Sequence, residues 1–252
     1  MAVNEFDHPF VAATYDQVEG SREDLGQYAG IAEELGARSV LDIGAGTGTL
    51  AVRLAADGLA VTAVEPAARM LEVARTKPHA EKVHWIHGTA PDLAQHSPAA
   101  PLPADLAVMT ANVAQVFLTD EDWLSTLRAV RDSLAPGGHL VFETRIPERR
   151  AWEDWARLPE STWEVPGVGT VREVFEVTEV ELPLVSFRSD SHLPDGTVVP
   201  FTSTLTFRSL EQIQQTLVEA GFEFLEARDA PDRPGREWVV LARSLAPAGG
   251  EG

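Results

Sequence analysis

The chain has 252 residues, 44 % of them hydrophobic, with a formal net charge of -19 at pH 7 and no cysteine. That length and apolar content fit one globular fold with an elaboration, and the negative field argues against nucleic acid and anionic membrane surfaces as partners. There are no disulfides, thiolate nucleophiles or cysteine-based metal sites, and no basic leader or 18-residue apolar run is seen, so a soluble cytoplasmic protein is expected.

Residues 1–20 read as a leader. Ser21-Arg22-Glu23-Asp24 has the pattern of a capping box, after which Leu25, Tyr28, Ile31, Ala32 and Leu35 share one helical face and Gly36 can end the helix. Val40-Leu41-Asp42-Ile43 is a short apolar run ending near an acid. Gly44-Ala45-Gly46-Thr47-Gly48 then turns the chain into Leu50 to Ala56 at helical spacing. Glycines permit the sharp turn and a close ligand approach to backbone.

A second strand, Ala60 to Glu65, also ends in an acid, and Pro66 is placed to open a helix carrying Met70, Leu71 and Val73. Val83 to His87 is a third strand closed by Gly88, and Pro98 to Pro103 is a loop. Asp105 to Met109 is a fourth strand. Thr119 caps a helix through Leu134, and Pro136-Gly137-Gly138 turns into a fifth strand, His139 to Thr144. Strands alternating with helices predict right-handed βαβ units and a parallel sheet.

After Arg145 the rhythm breaks. Trp152, Trp155 and Trp163 lie in a stretch read as irregular, then strand-like runs cover 171–180, 184–193 and 198–207. Val185, Phe187, Leu193, Val199, Phe201, Leu205 and Phe207 share a face if the intervening loop has an odd number of residues. Pro194-Asp195-Gly196 supplies three. Residues 146–207 are therefore expected to form an antiparallel insertion. Ser209-Leu210-Glu211-Gln212 is a second capping box opening a helix that Gly221 ends. Residues 222–227 and 237–242 are the last strands, and 246–252 reads as a disordered tail.

Asp42-Ile43-Gly44-Ala45-Gly46-Thr47-Gly48 resembles the first motif of class I S-adenosylmethionine-dependent methyltransferases, and the likeness runs from about Tyr15 to Glu143 and resumes at the final helix and strands. A dinucleotide loop would need Gly-x-Gly-x-x-Gly, whereas Thr49 stands where that spacing requires glycine. The resemblance implies an α/β, Rossmann-like fold. Its seven-stranded, mostly parallel sheet carries helices on both faces and an antiparallel last strand; the β insertion at 146–207, after strand five, lies outside that common core and would act as a lid. The core would comprise 1–145 and 208–245.

The resemblance also implies S-adenosylmethionine as cofactor, held by Tyr15, Asp42, Gly44, Ala45, Gly46, Thr47, Gly48, Glu65, Pro66, Met70, Thr89, Ala90, Asp92, Thr110 and Ala111. Glu65 would bind the ribose hydroxyls, or cap the next helix. Residues 88–93 would hold adenine, although Thr89 stands where relatives often have Asp, and Asp92 could equally be a helix cap. Asn112, Glu143, Arg145 and His192 are candidates around the acceptor. Against this, Asn112 could cap a helix, Glu143 and Arg145 could form a solvated ion pair, and His192 could be plain surface. The histidines form no metal-ligand pattern, so no metal is expected.

The implied reaction is direct in-line methyl transfer to a small organic acceptor, with catalysis drawn largely from positioning. The alternatives are a cofactor-binding protein without transferase activity, an NAD-type oxidoreductase or a protein methyltransferase. No nucleic acid or membrane partner is expected, and the chain would be a monomer or homodimer.

Overall fold

The computed structural model of the chain describes residues 5–20, 22–96 and 100–245. The expected tail, Ser21 of the first capping box and the start of the proline-rich loop lie outside these. The elements run α1 (Pro9–Glu19), α2 (Leu25–Glu34), β1 (Ser39–Ile43), α3 (Thr49–Ala56), β2 (Ala60–Glu65), α4 (Ala68–Ala74), β3 (Val83–His87), α5 (Leu93–His96), β4 (Ala104–Met109) and α6 (Asp120–Asp132). They continue with β5 (Leu134–Arg145), α7 (Ala151–Trp155), β6 (Ser161–Val165), β7 (Gly169–Glu181), β8 (Leu184–His192), β9 (Val198–Thr206), α8 (Leu210–Glu219), β10 (Phe222–Asp229) and β11 (Glu237–Ser244).

Seven strands form one sheet in the order β10-β11-β5-β4-β1-β2-β3. β1 to β5 are parallel, and β11 enters antiparallel between β5 and β10. The apolar strand runs have no alternation because both faces are covered. Leu106, Val108, Val141, Val239 and Leu241 pack on one side with Leu25, Tyr28 and Leu54 of α2 and α3. Ala107, Met109, Phe142, Val240 and Ala242 pack on the other with Trp123, Leu127 and Leu217 of α6 and α8. Neighbouring residues on one strand thus serve two different cores, as the two-residue side-chain period requires.

The strand order reverses between β1 and β4, so their connections leave on opposite faces. A crevice opens outside their carboxyl ends, where open α/β sheets bind ligands. Over this end stands a second, four-stranded antiparallel sheet, β6-β7-β8-β9. Val185 pairs with Leu205 and Ser189 with Phe201. Leu193 and Thr197 bond across a three-residue loop in which Gly196 has φ +89°. The predicted loop and shared face are therefore present.

Four local expectations are corrected. α2 starts at Leu25 after Asp24, which makes no side-chain cap bond; its carboxylate is held by Arg22, Nη2 to Oδ2 at 2.8 Å. α4 begins at Ala68 and not at Pro66, because Ala67 is extended, with its amide donated to the Glu65 carboxylate. α6 ends at Asp132, and Leu134 already pairs with Ala104. The segment Pro136–Gly138 is thus an irregularity inside β5, with a register shift, and not a turn before it. Trp163 lies in a regular strand, β6, paired with Val171; its five residues are too short and too mixed in polarity to announce a period.

Candidate functional site

The glycine turn is shaped by its surroundings. Gly44 (φ +69°) donates its amide to Val64 O at 2.9 Å, and a Cβ there would lie 2.7 Å from Val113 Cγ2. At Gly48 (φ +73°) a Cβ would lie 2.3 Å from the Trp85 ring. Gly46 (φ +56°) differs: nothing lies within 4 Å of a Cβ built there, and the residue lines a cavity of about 290 Å³. Gly44, Glu65, Met70, Thr89 and Ala111 contribute to the same wall, as do Tyr15, Pro66 and Ala90.

Glu65 closes this wall at the end of β2. It is buried, its Oε2 accepts the Gly46 amide and its Oε1 accepts the Ala67 amide, each at 2.8 Å. Burial pushes its pKa up, opposed by those two bonds. Asp42 lies fully buried with Oδ1 lacking any partner. Burial, then the nearby Glu65 charge, pushes its pKa up to about 7, with Arg22 acting the other way. Asp42 itself does not line the cavity, nor do Ala45, Thr47, Gly48, Asp92 and Thr110.

Several of these have other work. The Thr47 hydroxyl donates to Asp16 of α1, and Lys77 Nζ reaches Thr47 at 3.0 Å, Thr49 at 2.7 Å and Asp16 at 2.7 Å. Thr47 therefore fastens α1 to the glycine turn. Asp92 Oδ2 accepts the Thr89 amide at 2.7 Å and hydroxyl at 2.8 Å, so it acts as a cap.

A second cavity of about 350 Å³ adjoins the first and shares Phe6, Tyr15, Ala111 and Val116 with it. Its far wall is the second sheet: Phe175, Phe187 and Phe201, with Trp163, Glu173 and Ser189 among them. Phe187 stacks on Phe175 with centroids 5.1 Å apart. The leader roofs both cavities. Phe6 packs on Phe201 at 5.1 Å, Phe10 on Trp163 at 6.2 Å, and Gln17 Nε2 donates to Glu164 O.

Between the cavities the backbone is strained. Ala111 (φ +54°) and Asn112 (φ +59°) are consecutive left-handed residues without glycine, each costing about 1–3 kcal/mol. Buried acids hold them. The Asn112 amide donates to Glu143 Oε1 at 3.1 Å, and its Nδ2 to Glu237 Oε2 at 3.2 Å. Its Oδ1 is buried and unpartnered, and Asn112 lines the second cavity.

The remaining acceptor-side candidates separate. Glu143 and Arg145 are not a solvated ion pair. Glu143 is buried, accepts the Tyr28 hydroxyl at 2.5 Å and lines neither cavity, while burial pushes its pKa up. Arg145 does line the second cavity, but faces Glu237 (Nε to Oε1, 3.4 Å), Gln115 (Nη1 to Oε1, 3.0 Å) and the Trp155 ring. His192 lines neither cavity: Phe187, Ser189 and Ser191 face it, so an even-numbered neighbour on β8 faces away. Trp152 and Trp155 pack with Phe207 and Phe187 as the second sheet's own core, and only Trp163 of the three tryptophans reaches a cavity.

Sequence reasoning missed Phe6, Phe10, Glu19, Glu173 and Phe175, all of which line the second cavity. Glu173 and Phe175 could have been found, since they alternate with the buried Val171 along one strand face.

Residues 40–138 match the family model described as a methyltransferase domain. Over that stretch the chain is similar to methyltransferase domains. An uncharacterized methyltransferase of Mycobacterium tuberculosis is 39 % identical over 121 residues, covering 46 % of this chain and 44 % of the relative, so the likeness spans under half of that protein. Two solved structures share the fold over most of the chain. The CcbJ methyltransferase from Streptomyces caelestis is 22 % identical with a TM-score of 0.75, covering 97 % of this chain and 100 % of that one. CalS10, an amino pentose methyltransferase from Micromonospora echinaspora solved with S-adenosylmethionine bound, is 20 % identical with a TM-score of 0.69, covering 89 % and 93 %. The family model overlies β1 to β4 and the first residues of β5, and stops before the second sheet.

Proposed function

We propose that the chain transfers a methyl group from S-adenosylmethionine to a small organic acceptor by direct in-line displacement. The observation that carries this reading is the junction of two cavities at Tyr15, Ala111 and Val116, one walled by backbone and Glu65, the other by an aromatic sheet.

The first cavity fits the cofactor. The open space at Gly46 is a place where backbone meets ligand. The orphaned Asp42 oxygen, two residues before Gly44, is a buried acceptor suited to an ammonium group, although Asp42 is not among the residues that line the cavity. Each Glu65 oxygen has accepted one backbone bond and retains a lone pair for a ribose hydroxyl. Thr89 and Ala90 stand on the adenine side. When bound, the cofactor supplies a methyl on a sulfonium: the acceptor's lone pair bonds the methyl carbon, the carbon–sulfur bond breaks and its electron pair stays on sulfur.

The protein then contributes position and exclusion of water. Residues 146–207 act as a lid over a core formed by 1–145 and 208–245, and α1 closes the remaining side through Tyr15. No residue of the junction is a free carboxylate base. Glu143 is committed to Tyr28 and Asn112, and so sets the loop after β4.

Calorimetric titration with S-adenosylhomocysteine and with NAD tests the cofactor, and incorporation of labelled methyl into an extract tests transfer. Binding of NAD alone would overturn the reading, as would tight cofactor binding with no transfer to any acceptor.

A further inference from the structure

The second cavity has a chemistry of its own. Its walls are largely aromatic, yet it contains Glu19, Glu173 and Arg145. Arg145 is already answered by the carboxylate of Glu237. Glu173 is bonded only by a neutral hydroxyl, that of Ser189. Two acids and one neutralised cation leave the lining negative, and ring faces attract cations as well. A carboxylate or phosphate ligand would meet repulsion there; a nitrogen base would not.

Two polar atoms in this lining lack partners. Asn112 is 3 % exposed, and its orientation is fixed because Nδ2 donates to a carboxylate, which can only accept. Its Oδ1 is left as an unfilled acceptor. The indole Nε1 of Trp163 is an unfilled donor, buried likewise. Leaving such buried groups unpaired is unfavourable, and a ligand that completes them recovers that loss. Asn112, next in sequence to Ala111, which both cavities share, and Trp163 of the second sheet both line the second cavity.

From this pairing we infer that the acceptor is an amine whose N–H donates to Asn112 Oδ1, whose apolar body lies against Phe175, Phe187 and Phe201, and which offers an oxygen to Trp163. The inference rests on the methyl-transfer reading and deepens it. Asn112 positions the nitrogen at the boundary of the two cavities; Glu173 favours entry of the ammonium form, which then gives one proton to solvent or to that carboxylate, freeing the lone pair that bonds the methyl carbon.

The test uses the full chain saturated with S-adenosylhomocysteine, titrated calorimetrically with aminocyclohexanol, cyclohexanediol and hydroxycyclohexanecarboxylate. The amine is expected to bind at least about ten-fold more tightly than the diol, with the carboxylate weakest. Asn112→Leu should abolish that preference. Glu173→Gln should reduce amine affinity about ten-fold and leave the diol unchanged, which keeps the test open if Asn112→Leu does not fold. Equal binding of amine and diol, no binding of the amine, or stronger binding of the carboxylate overturns the amine inference alone. Failure of S-adenosylhomocysteine to bind overturns the methyl-transfer reading beneath it.

Discussion

Gly46 donates its backbone amide to Glu65 Oε2 at 2.8 Å, tying the turn after β1 to the end of β2. The other carboxylate oxygen holds the Ala67 amide. Glu65 is thus a structural anchor as well as an acid lining the first cavity, and its removal acts on both.

Glu65→Ala is expected to lower S-adenosylhomocysteine affinity at least about ten-fold and also to destabilise the chain, by about 1–3 kcal/mol for each orphaned buried donor. Glu65→Gln, which keeps one acceptor oxygen, should recover part of the stability and little of the affinity. Urea unfolding beside calorimetric titration checks this. An unchanged affinity in both variants would remove Glu65 from the site.

Asp42 makes stability depend on pH. Its carboxyl is raised from 3.8 to about 7 in the fold. The folded state therefore keeps a proton that the unfolded chain releases, so the contribution is complete below about 3.8 and is lost as pH rises to about 7. Asp42→Asn cannot titrate. Its stability relative to the parent should rise between those limits by a few kcal/mol and level off above about 7, as about 1.4 kcal/mol per unit implies. Thermal melts across that range measure it. Below about pH 7, binding of a cationic group beside Asp42 should release a proton, detected by titration in buffers of different ionisation heat.

Two glycines of the turn, Gly48 and Gly46, should separate by effect. Gly48→Ala places a Cβ 2.3 Å from Trp85 in a left-handed conformation, and stability should fall sharply, by about 2 kcal/mol or more. Gly46→Ala meets no atom within 4 Å, so only about 1 kcal/mol of backbone strain is expected, with cofactor affinity falling instead. The reverse ordering in melts and titrations would mean that Gly46 does not face the ligand.

Lys77 joins the leader to the turn through Asp16 and Thr47. Asp16 is 46 % exposed at its side chain, so the pair contributes modestly, about 0.5–1 kcal/mol. Lys77→Met should therefore raise the rate of proteolytic cleavage within 9–19 about two- to five-fold, and bound S-adenosylhomocysteine should suppress that cleavage. Cleavage at the parental rate would show that α1 is held by its aromatic contacts alone.

The core sheet was legible because its signals are local. The run from Val40 to Leu50 encodes strand, turn and helix within eleven residues, and the alternation on β8 and β9, with a three-residue loop, set their register and shared face. The site was half legible. Gly44, Gly46, Glu65, Met70, Thr89 and Ala111 line the first cavity, but the sequence left Asp92 evenly between ligand and cap, and nothing local marked Thr47 as the fastening of α1.

The sequence by itself determined where β1 to β4 end, since backbone direction and side-chain alternation follow from neighbours a few positions away. Only the tertiary structure decided which of those ends face one another. Arg145 stands two residues from Glu143 yet pairs with Glu237, and Asn112 reaches the same acid 125 residues later. The reason is β11, which inserts antiparallel beside β5 and brings Glu237 directly opposite Arg145. Strand order is set by the burial of both sheet faces at once, a sum over the whole chain that no local pattern carries.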